Sequence, residues 1–271
     1  MGGIGKDVEL DYNGDVLSMV ESNFVQNFSK FQALVSPSYL LETPYRELLI
    51  AIARGDGKIY SALRKAKLSE SAGEKIIQEL ISLDILRLEK SREAPLKVHP
   101  KYKLPKDQRA YRIQDKLRFK QPYLRFWFGF VAYFEKELLL SGGKKFLENF
   151  EQHYERLRSL VYEQLCNDLL IQHYANKSPL ISSGSYWNVY SEFDILAVTK
   201  EKKLILGECK YKDRTVCKNE LTKLKQKASE SGIKVDVYAL FSKSGFSKEL
   251  LGMKSDTLLL FDLSDLSLLL N

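Results

Sequence analysis

Three charged side chains interrupt two apolar stretches in the second half of the chain. Asp194 stands in YSEFDILAV, and Glu208 and Lys210 stand in KLILGECKY. Because side chains alternate along a strand, Glu208 and Lys210 share one face, while Cys209 points to the other. If the two stretches pair as a hairpin, Asp194 lies beside them. Charged groups among apolar residues are costly unless they are paired or bind an ion, so the three residues predict a metal site.

The chemistry expected of this trio is metal-dependent hydrolysis of a phosphodiester. Mg²⁺ (or Mn²⁺) prefers oxygen ligands, which Asp194, Glu208 and the backbone carbonyl of Cys209 would supply. Lys210 would orient the attacking water or stabilise the transition state. Glu163, on a preceding helix, is a candidate ligand for a second metal or for a metal-bound water. The alternative is an inactive site in which Lys210 only pairs with Asp194 or Glu208.

The elements around these residues predict a domain over residues 150–271. Apolar spacing predicts a helix over 150–170, strands over 189–198 and 203–210, a helix from Asn219, and strands near 235–241 and 258–261. A first strand is expected within 179–190. This order resembles the PD-(D/E)xK nuclease superfamily, which implies a restriction-endonuclease-like αβββαβ fold. The same resemblance adds Gln226, on the helix after the second strand, to the candidate catalytic residues.

The first half of the chain predicts a different, mainly helical domain. Residues 1–42 contain a helical segment, and residues 43–115 have the pattern of three helices and a β-hairpin, with strands at Ile85–Leu88 and Tyr111–Ile113. That outline is typical of a winged helix-turn-helix, whose third helix enters the DNA major groove. Together with the nuclease-like domain, it gives a fold of the α+β and α/β classes.

The loop of this hairpin is basic, whereas the third helix is acidic. The candidate nucleic-acid-binding residues are therefore those of the loop: Lys90, Arg92, Lys97, Lys101 and Lys103. The exposed positions expected on the third helix include Glu70, Glu74 and Glu79, which suit DNA poorly. The alternative is a winged helix that contacts a protein or serves as a spacer.

An aromatic segment over residues 116–149 links the two predicted domains. Its aromatic residues have helical spacing, which is typical of a packed core rather than a base-stacking surface. We expect this segment to fasten the two halves together, with a break at Ser141-Gly142-Gly143.

Composition is consistent with a cytoplasmic nucleic-acid-binding protein. Lys and Arg outnumber Asp and Glu by 42 to 35, which favours a phosphate-bearing partner such as DNA without proving one. The three cysteines lack the spacing of a zinc site or a disulfide framework. Neither a signal peptide nor a membrane-spanning stretch is expected. MGGIGK at the N-terminus is no P-loop, because Asp7 stands where Ser or Thr is required.

A more specific resemblance covers much of the chain. YRIQDKLRFKQPYLRFWFGFV, GECKY and FSKSGF together resemble the C-terminal region of archaeal-type ATPases called DUF234. The resemblance implies a winged helix followed by a nuclease-like domain. Those ATPases also carry a P-loop ATPase domain, which this chain lacks. The resemblance then implies one of two expectations: a truncated relative, or a separate product that acts beside a P-loop ATPase partner.

Three functions follow from these features. The first is a metal-dependent DNA endonuclease with a winged helix for docking, and a homodimer is compatible with cutting both strands. The second is a non-catalytic protein that binds nucleic acid or an ATPase through a degenerate nuclease fold. The third, a transcription regulator, rests on the winged helix alone and leaves the carboxylates unexplained.

Overall fold

The computed structural model describes residues 15–93, 103, 106, 111–188 and 190–270. The fold is mixed α+β, as predicted, with helices and a two-stranded sheet followed by a five-stranded sheet. The described residues form two compact units, one within Met1–Ser91 and Gln114–Tyr154, the other within Arg92–Ile113 and Glu155–Asn271. Among the helices of the described ranges, none is long and apolar enough to cross a membrane.

The first unit contains most of the helices. Its α-helices and strands are α1 (Val16–Val20), α2 (Phe28–Gln32), α3 (Tyr45–Ala53), α4 (Ile59–Lys65), α5 (Glu70–Ser82), β1 (Leu86–Glu89), β2 (Lys116–Phe119), α6 (Pro122–Phe126) and α7 (Glu135–Leu140). Ser69 caps α5, since its hydroxyl accepts a hydrogen bond from the Ala72 backbone N–H at 3.3 Å. The predicted order of three helices and a hairpin is therefore present.

The second strand of the hairpin differs from its prediction. β1 pairs antiparallel with β2, so the return strand is Lys116–Phe119, and the predicted strand at 111–113 is wrong. The physical reason is burial: Leu117 and Phe119 alternate into the core, whereas Ile113 is 36% exposed. An apolar side chain that remains in solvent adds little packing energy to a strand, so it does not favour strand formation there.

The sequence pattern predicted that Glu79 of α5 is exposed to solvent, whereas in the structure its carboxylate contacts two tyrosines. Its carboxylate accepts hydrogen bonds from the Tyr39 hydroxyl at 2.8 Å and the Tyr45 hydroxyl at 2.5 Å. These hydrogen bonds lower the pKa of Glu79, Tyr45 first and Tyr39 second. One of the acids on α5 therefore ties the helix to the rest of its own unit.

The aromatic segment forms core, as predicted, but it lies within the first unit. Trp127 and Phe128 are buried, and the rings of Phe24 and Phe126 lie 4.7 Å apart. Tyr133 is the exception, with 59% of its surface exposed. The last boundary between the two units along the chain falls between Tyr154 and Glu155, inside a long helix, and not at the glycines near 142.

The second unit is built on a mixed sheet with helices on both faces. Its elements, including the long helix that begins in the first unit, are α8 (Lys144–Tyr174), β3 (Leu180–Trp187), β4 (Glu192–Thr199), β5 (Leu204–Lys210), α9 (Lys218–Glu230), β6 (Val237–Ser242), α10 (Lys248–Leu251) and β7 (Leu258–Asp262). The strands lie in the order β3-β4-β5-β6-β7; β3, β4 and β5 are antiparallel, and β5, β6 and β7 are parallel.

Two apolar clusters hold the sheet between helices. On one face, Cys166 and Leu169 of α8 pack with strand residues such as Ile195. On the other face, Leu221 and Leu224 of α9 pack with residues that include Leu206. A sheet buried on both faces explains why β4 and β5 are almost continuously apolar, and why charged residues within them stand out.

Candidate functional site

Asp194 lies at an irregularity in β4. β3 pairs Gly184 with Leu196 but Tyr186 with Phe193, so β4 has one residue more than β3 over this stretch. Such a β-bulge re-aims side chains and bends the strand locally. The packing agrees with a bulge, because Phe193 and Leu196 both pack on the α9 face of the sheet. In a regular strand, two residues three positions apart would face opposite sides.

The carboxylate of Asp194 is held against the backbone of β5. Its Oδ2 accepts a hydrogen bond from the Cys209 N–H at 2.7 Å. Burial first, then the negative charges of Glu208 and Glu163, raise the pKa of Asp194 to about 7, against the opposing effects of the Cys209 hydrogen bond and Lys210. Asp194 is therefore a buried carboxylate close enough to two other acids, Glu208 and Glu163, to feel their charge, and such a cluster is a candidate cation site.

Lys210 is already paired with carboxylates. Its Nζ lies 2.5 Å from Glu208 Oε1 and 3.7 Å from Glu220 Oε2. Burial alone lowers the pKa of Lys210, but Glu208, then Glu220 and Asp194, outweigh it, so the pKa is raised. Lys210 is thus a firmly held cation at the carboxyl end of β5.

Glu220 is a fourth carboxylate that the sequence reasoning missed. It lies in the first turn of α9, where a negative charge suits the helix dipole. Its side chain is only 15% exposed, and it lies 3.6 Å from both Arg214 and Lys223. The available signal was helical spacing, because Glu220 stands four residues before the core residue Leu224.

The structure brings Glu163 towards the trio but leaves Gln226 apart. Glu163 follows the buried Tyr162 on α8, and its charge raises the pKa values of both Asp194 and the Cys209 thiol. Gln226 is exposed on α9, and its amide donates to Glu230 Oε1 at 2.8 Å. That contact directs the Gln226 side chain along its own helix.

The donor set fits a cation bound through few protein ligands. Within the described ranges, no group of three or more His, Cys, Asp or Glu side chains is arranged to hold a metal ion. Mg²⁺, however, usually binds through one or two carboxylates, with water and substrate phosphate completing its shell. The adjacent carboxylates of Asp194 and Glu208 match that requirement. The role assigned to the Cys209 carbonyl stays a prediction.

Arg92, for which nucleic-acid binding stays a prediction, holds the strand that carries Asp194. Its guanidinium donates to the carbonyl oxygens of Leu196 at 3.0 Å and of Gly184 and Ser185 at 2.9 Å each. These carbonyls flank the β4 bulge. Arg92 therefore helps to fix the backbone on which Asp194 depends.

The other predicted residues of the basic loop are not tested by the fold. Lys90 and Lys103 are exposed. Lys97 and Lys101 lie outside the described residues. A DNA-binding role for these lysines stays a prediction.

Comparison with known protein families finds one match. The chain has no significant match among curated proteins or among solved structures. A family model, in contrast, matches the stretch from the aromatic segment to α9, which includes Glu163, Asp194, Glu208 and Lys210. Residues 127–227 match the DUF234 family model, which is described as archaea bacterial proteins of unknown function.

Proposed function

We propose that this protein is a metal-dependent phosphodiesterase that acts on DNA, with Asp194, Glu208 and Lys210 at its active centre. The observation that carries the proposal is that the trio gathers at one end of β5: the buried Asp194 carboxylate accepts the Cys209 N–H at 2.7 Å, and Lys210 Nζ lies 2.5 Å from Glu208 Oε1. The raised pKa of Asp194, caused by burial, then Glu208 and then Glu163, agrees with this grouping. Carboxylates gathered around a buried position cost stability, and they are best explained by a cation that offsets their charge in the working protein.

The order of elements in the second unit supports the reaction class. A helix, three antiparallel strands, a helix and a parallel strand follow one another, and the acids lie on the second and third strands. This is the arrangement implied by the resemblance to the PD-(D/E)xK nucleases. The DUF234 match spans the same residues, although that family has no described activity.

Each residue has a distinct part in the proposed reaction. Asp194 and Glu208 would hold Mg²⁺ or Mn²⁺, and such a cation makes water more acidic and offsets phosphate charge. Lys210 would leave its contact with Glu208 and donate to the scissile phosphate as negative charge develops there. Glu163 lies close enough to influence Asp194 electrostatically and would orient a water molecule on the α8 side.

DNA docking is assigned to the helices and hairpin of the first unit. α3, α4, α5 and the β1-β2 hairpin have the order of a winged helix. Lys90, in the segment after β1, is exposed. Phosphate contacts from such a basic segment would position the duplex without reading its sequence.

The test is cleavage of DNA by purified protein. Supercoiled, linear, branched and single-stranded DNA are incubated with Mg²⁺, with Mn²⁺ and with EDTA. The variants are Asp194→Ala and Lys210→Ala, and the matched controls are Asp236→Ala and Lys203→Ala, which alter exposed residues at the opposite end of β5.

We expect metal-dependent cutting by the wild type and both controls, with a loss of about a hundredfold or more in each site variant. DNA binding without cutting, unchanged by either site substitution, would sink the proposal. Cutting that persists equally in all four variants would point to a contaminating nuclease and would sink it as well.

One observation favours a second function, a non-catalytic binding protein with a degenerate nuclease fold. Lys210 lies 2.5 Å from Glu208, so the pair can satisfy each other without a metal. In that case the partner is nucleic acid or a P-loop ATPase, and Mg²⁺ has no effect on the unfolding temperature.

A further inference from the structure

The loops that follow β5 and β6 are fastened into one surface beside Lys210. The two strands are parallel, so their carboxyl ends lie at the same edge of the sheet. The Val216 N–H donates to the Gly245 carbonyl at 2.9 Å, and the Ser244 hydroxyl donates to the Lys212 carbonyl at 2.8 Å. Residues 211–216 and 243–247 therefore present their side chains from a fixed backbone.

This surface carries four cations, which we call the cationic rim: Arg158, Lys212, Arg214 and Lys243. Lys212 is exposed, and the Arg214 side chain is 71% exposed. Arg158 and Lys243 lie over the ring of Tyr211, at 5.1 and 4.9 Å from its centroid. Stacking on an aromatic ring holds these long side chains in place.

The acids within the rim are already engaged. Asp213 pairs with Lys243, and Glu155 pairs with Arg158. These contacts are at the surface, where ion pairs contribute little and exchange readily for a phosphate.

The rim is joined to the proposed active centre through Glu220. This carboxylate lies 3.6 Å from Arg214 and 3.7 Å from Lys210. A cleft of about 20 Å³, enough for one water molecule, runs between these side chains and Thr215. Arg214 and Lys210, the residue proposed to face the scissile phosphate, therefore share Glu220 as a partner.

We propose that Lys212 and Arg214 bind backbone phosphates of nucleic acid flanking the phosphate that faces Lys210. The assignment of the ligand as nucleic acid rests on the proposed function. Arg214 would exchange Glu220 for a phosphate, for which its planar guanidinium is well suited. Lys243 and Arg158 buttress Tyr211 and add positive charge behind the two contact residues.

The test is the salt dependence of DNA binding, measured by fluorescence anisotropy in EDTA so that no cutting occurs. The double variant Lys212→Ala/Arg214→Ala is compared with Lys200→Ala/Lys234→Ala. The second pair removes the same charge from exposed lysines near the amino ends of β5 and β6.

The two phosphate contacts predict a change in slope. For duplex DNA, the slope of log affinity against log salt should fall in magnitude by about 1.8 in the rim variant, and for a single strand by about 1.4. At about 0.1 M salt, this corresponds to a loss of affinity on the order of tenfold to a hundredfold. The control pair should retain the wild-type slope and affinity.

The outcomes separate this inference from the proposed function. If the rim variant loses affinity and slope while the wild type cuts no DNA, the rim is a binding site and the nuclease proposal fails. If the wild type cuts DNA and the rim variant keeps the wild-type slope, this inference is overturned and the nuclease proposal stands. Equal losses in the rim and control variants, or no DNA binding by the wild type, also overturn it.

Discussion

Replacing Asp194 by asparagine should stabilise the metal-free protein while abolishing metal binding. The carboxylate is buried beside Glu208 and Glu163, so its ionised form is disfavoured in the folded state. Asparagine keeps an oxygen that can accept the hydrogen bond of the Cys209 N–H, which the carboxylate accepts at 2.7 Å. The substitution therefore removes the charge with little change in shape.

The size of the gain follows from the pKa of Asp194. Its ordinary value is 3.8, and burial, Glu208 and Glu163 raise it to about 7 in the folded protein. Between these values the folded state binds more protons than the unfolded state, so stability falls as pH rises from about 4 to about 7. Roughly three pKa units correspond to about 4 kcal/mol. This is a ceiling, since the asparagine NH₂ also needs a partner, and we expect about 1–3 kcal/mol at pH 7.

The assay is denaturant unfolding in EDTA between pH 4 and pH 8, followed by near-UV signals. The Asp194→Asn variant should match the wild type near pH 4, and its advantage should grow up to about pH 7 and then level off. The control is Asp236→Asn, an exposed aspartate that accepts the Leu204 N–H at 2.8 Å at the other end of β5. It should stay near the wild type throughout.

Divalent metal should reverse the order of stability. With Mg²⁺ at about a thousand times its dissociation constant, the wild type should gain about 4.1 kcal/mol, which exceeds the advantage of the asparagine variant, and the variant should gain little. The reasoning is refuted if the variant is less stable at every pH, or if its advantage does not change between pH 4 and pH 7.

Three further predictions concern the support of the site. In Gly207→Ala, the new Cβ would lie 3.0 Å from Ile195 Cβ, so β4 and β5 must shift, and a loss of about 1–3 kcal/mol is expected in denaturant unfolding; unchanged stability contradicts this packing. Arg92→Ala removes the hydrogen bonds to the carbonyls beside the bulge, so amide hydrogen exchange should accelerate in 192–197 and not in β6; equal protection contradicts the role of Arg92. Glu220→Gln should lower the pKa of Lys210, measured by lysine NMR, and a constant pKa contradicts their coupling.

Periodicity was sufficient to predict the elements that carry the trio. Alternating and continuous apolar runs correctly indicated β4 and β5, and helical spacing indicated α8 and α9. The pairing of β4 with β5 as a hairpin is confirmed, with Ile195 opposite Gly207. These features depend on local pattern, which a single chain displays directly.

The details of the site depend on contacts that no local pattern records. The bulge at Asp194 arises from the pairing of β4 with β3, and the Arg92 contacts come from a residue about a hundred positions away in the chain. Glu220 reaches Lys210 only because α9 packs back on the sheet. Long-range packing, not propensity, decides such positions.

Gln226 illustrates the opposite case. Its assignment came from the family resemblance, whereas the apolar stripe of Leu221, Leu224 and Ala228 places it away from the core side of α9. The exposed amide and its contact with Glu230 agree with the helical period. Here the pattern in the chain itself was the better guide.

The most direct test of the account is a crystal structure of the protein with Mn²⁺, located by its anomalous scattering. We expect an ion within about 2.0–2.6 Å of carboxylate oxygens of Asp194 and Glu208, with Lys210 Nζ moved away from Glu208. A structure without an anomalous peak there, in which Lys210 still bridges to Glu208, would contradict it.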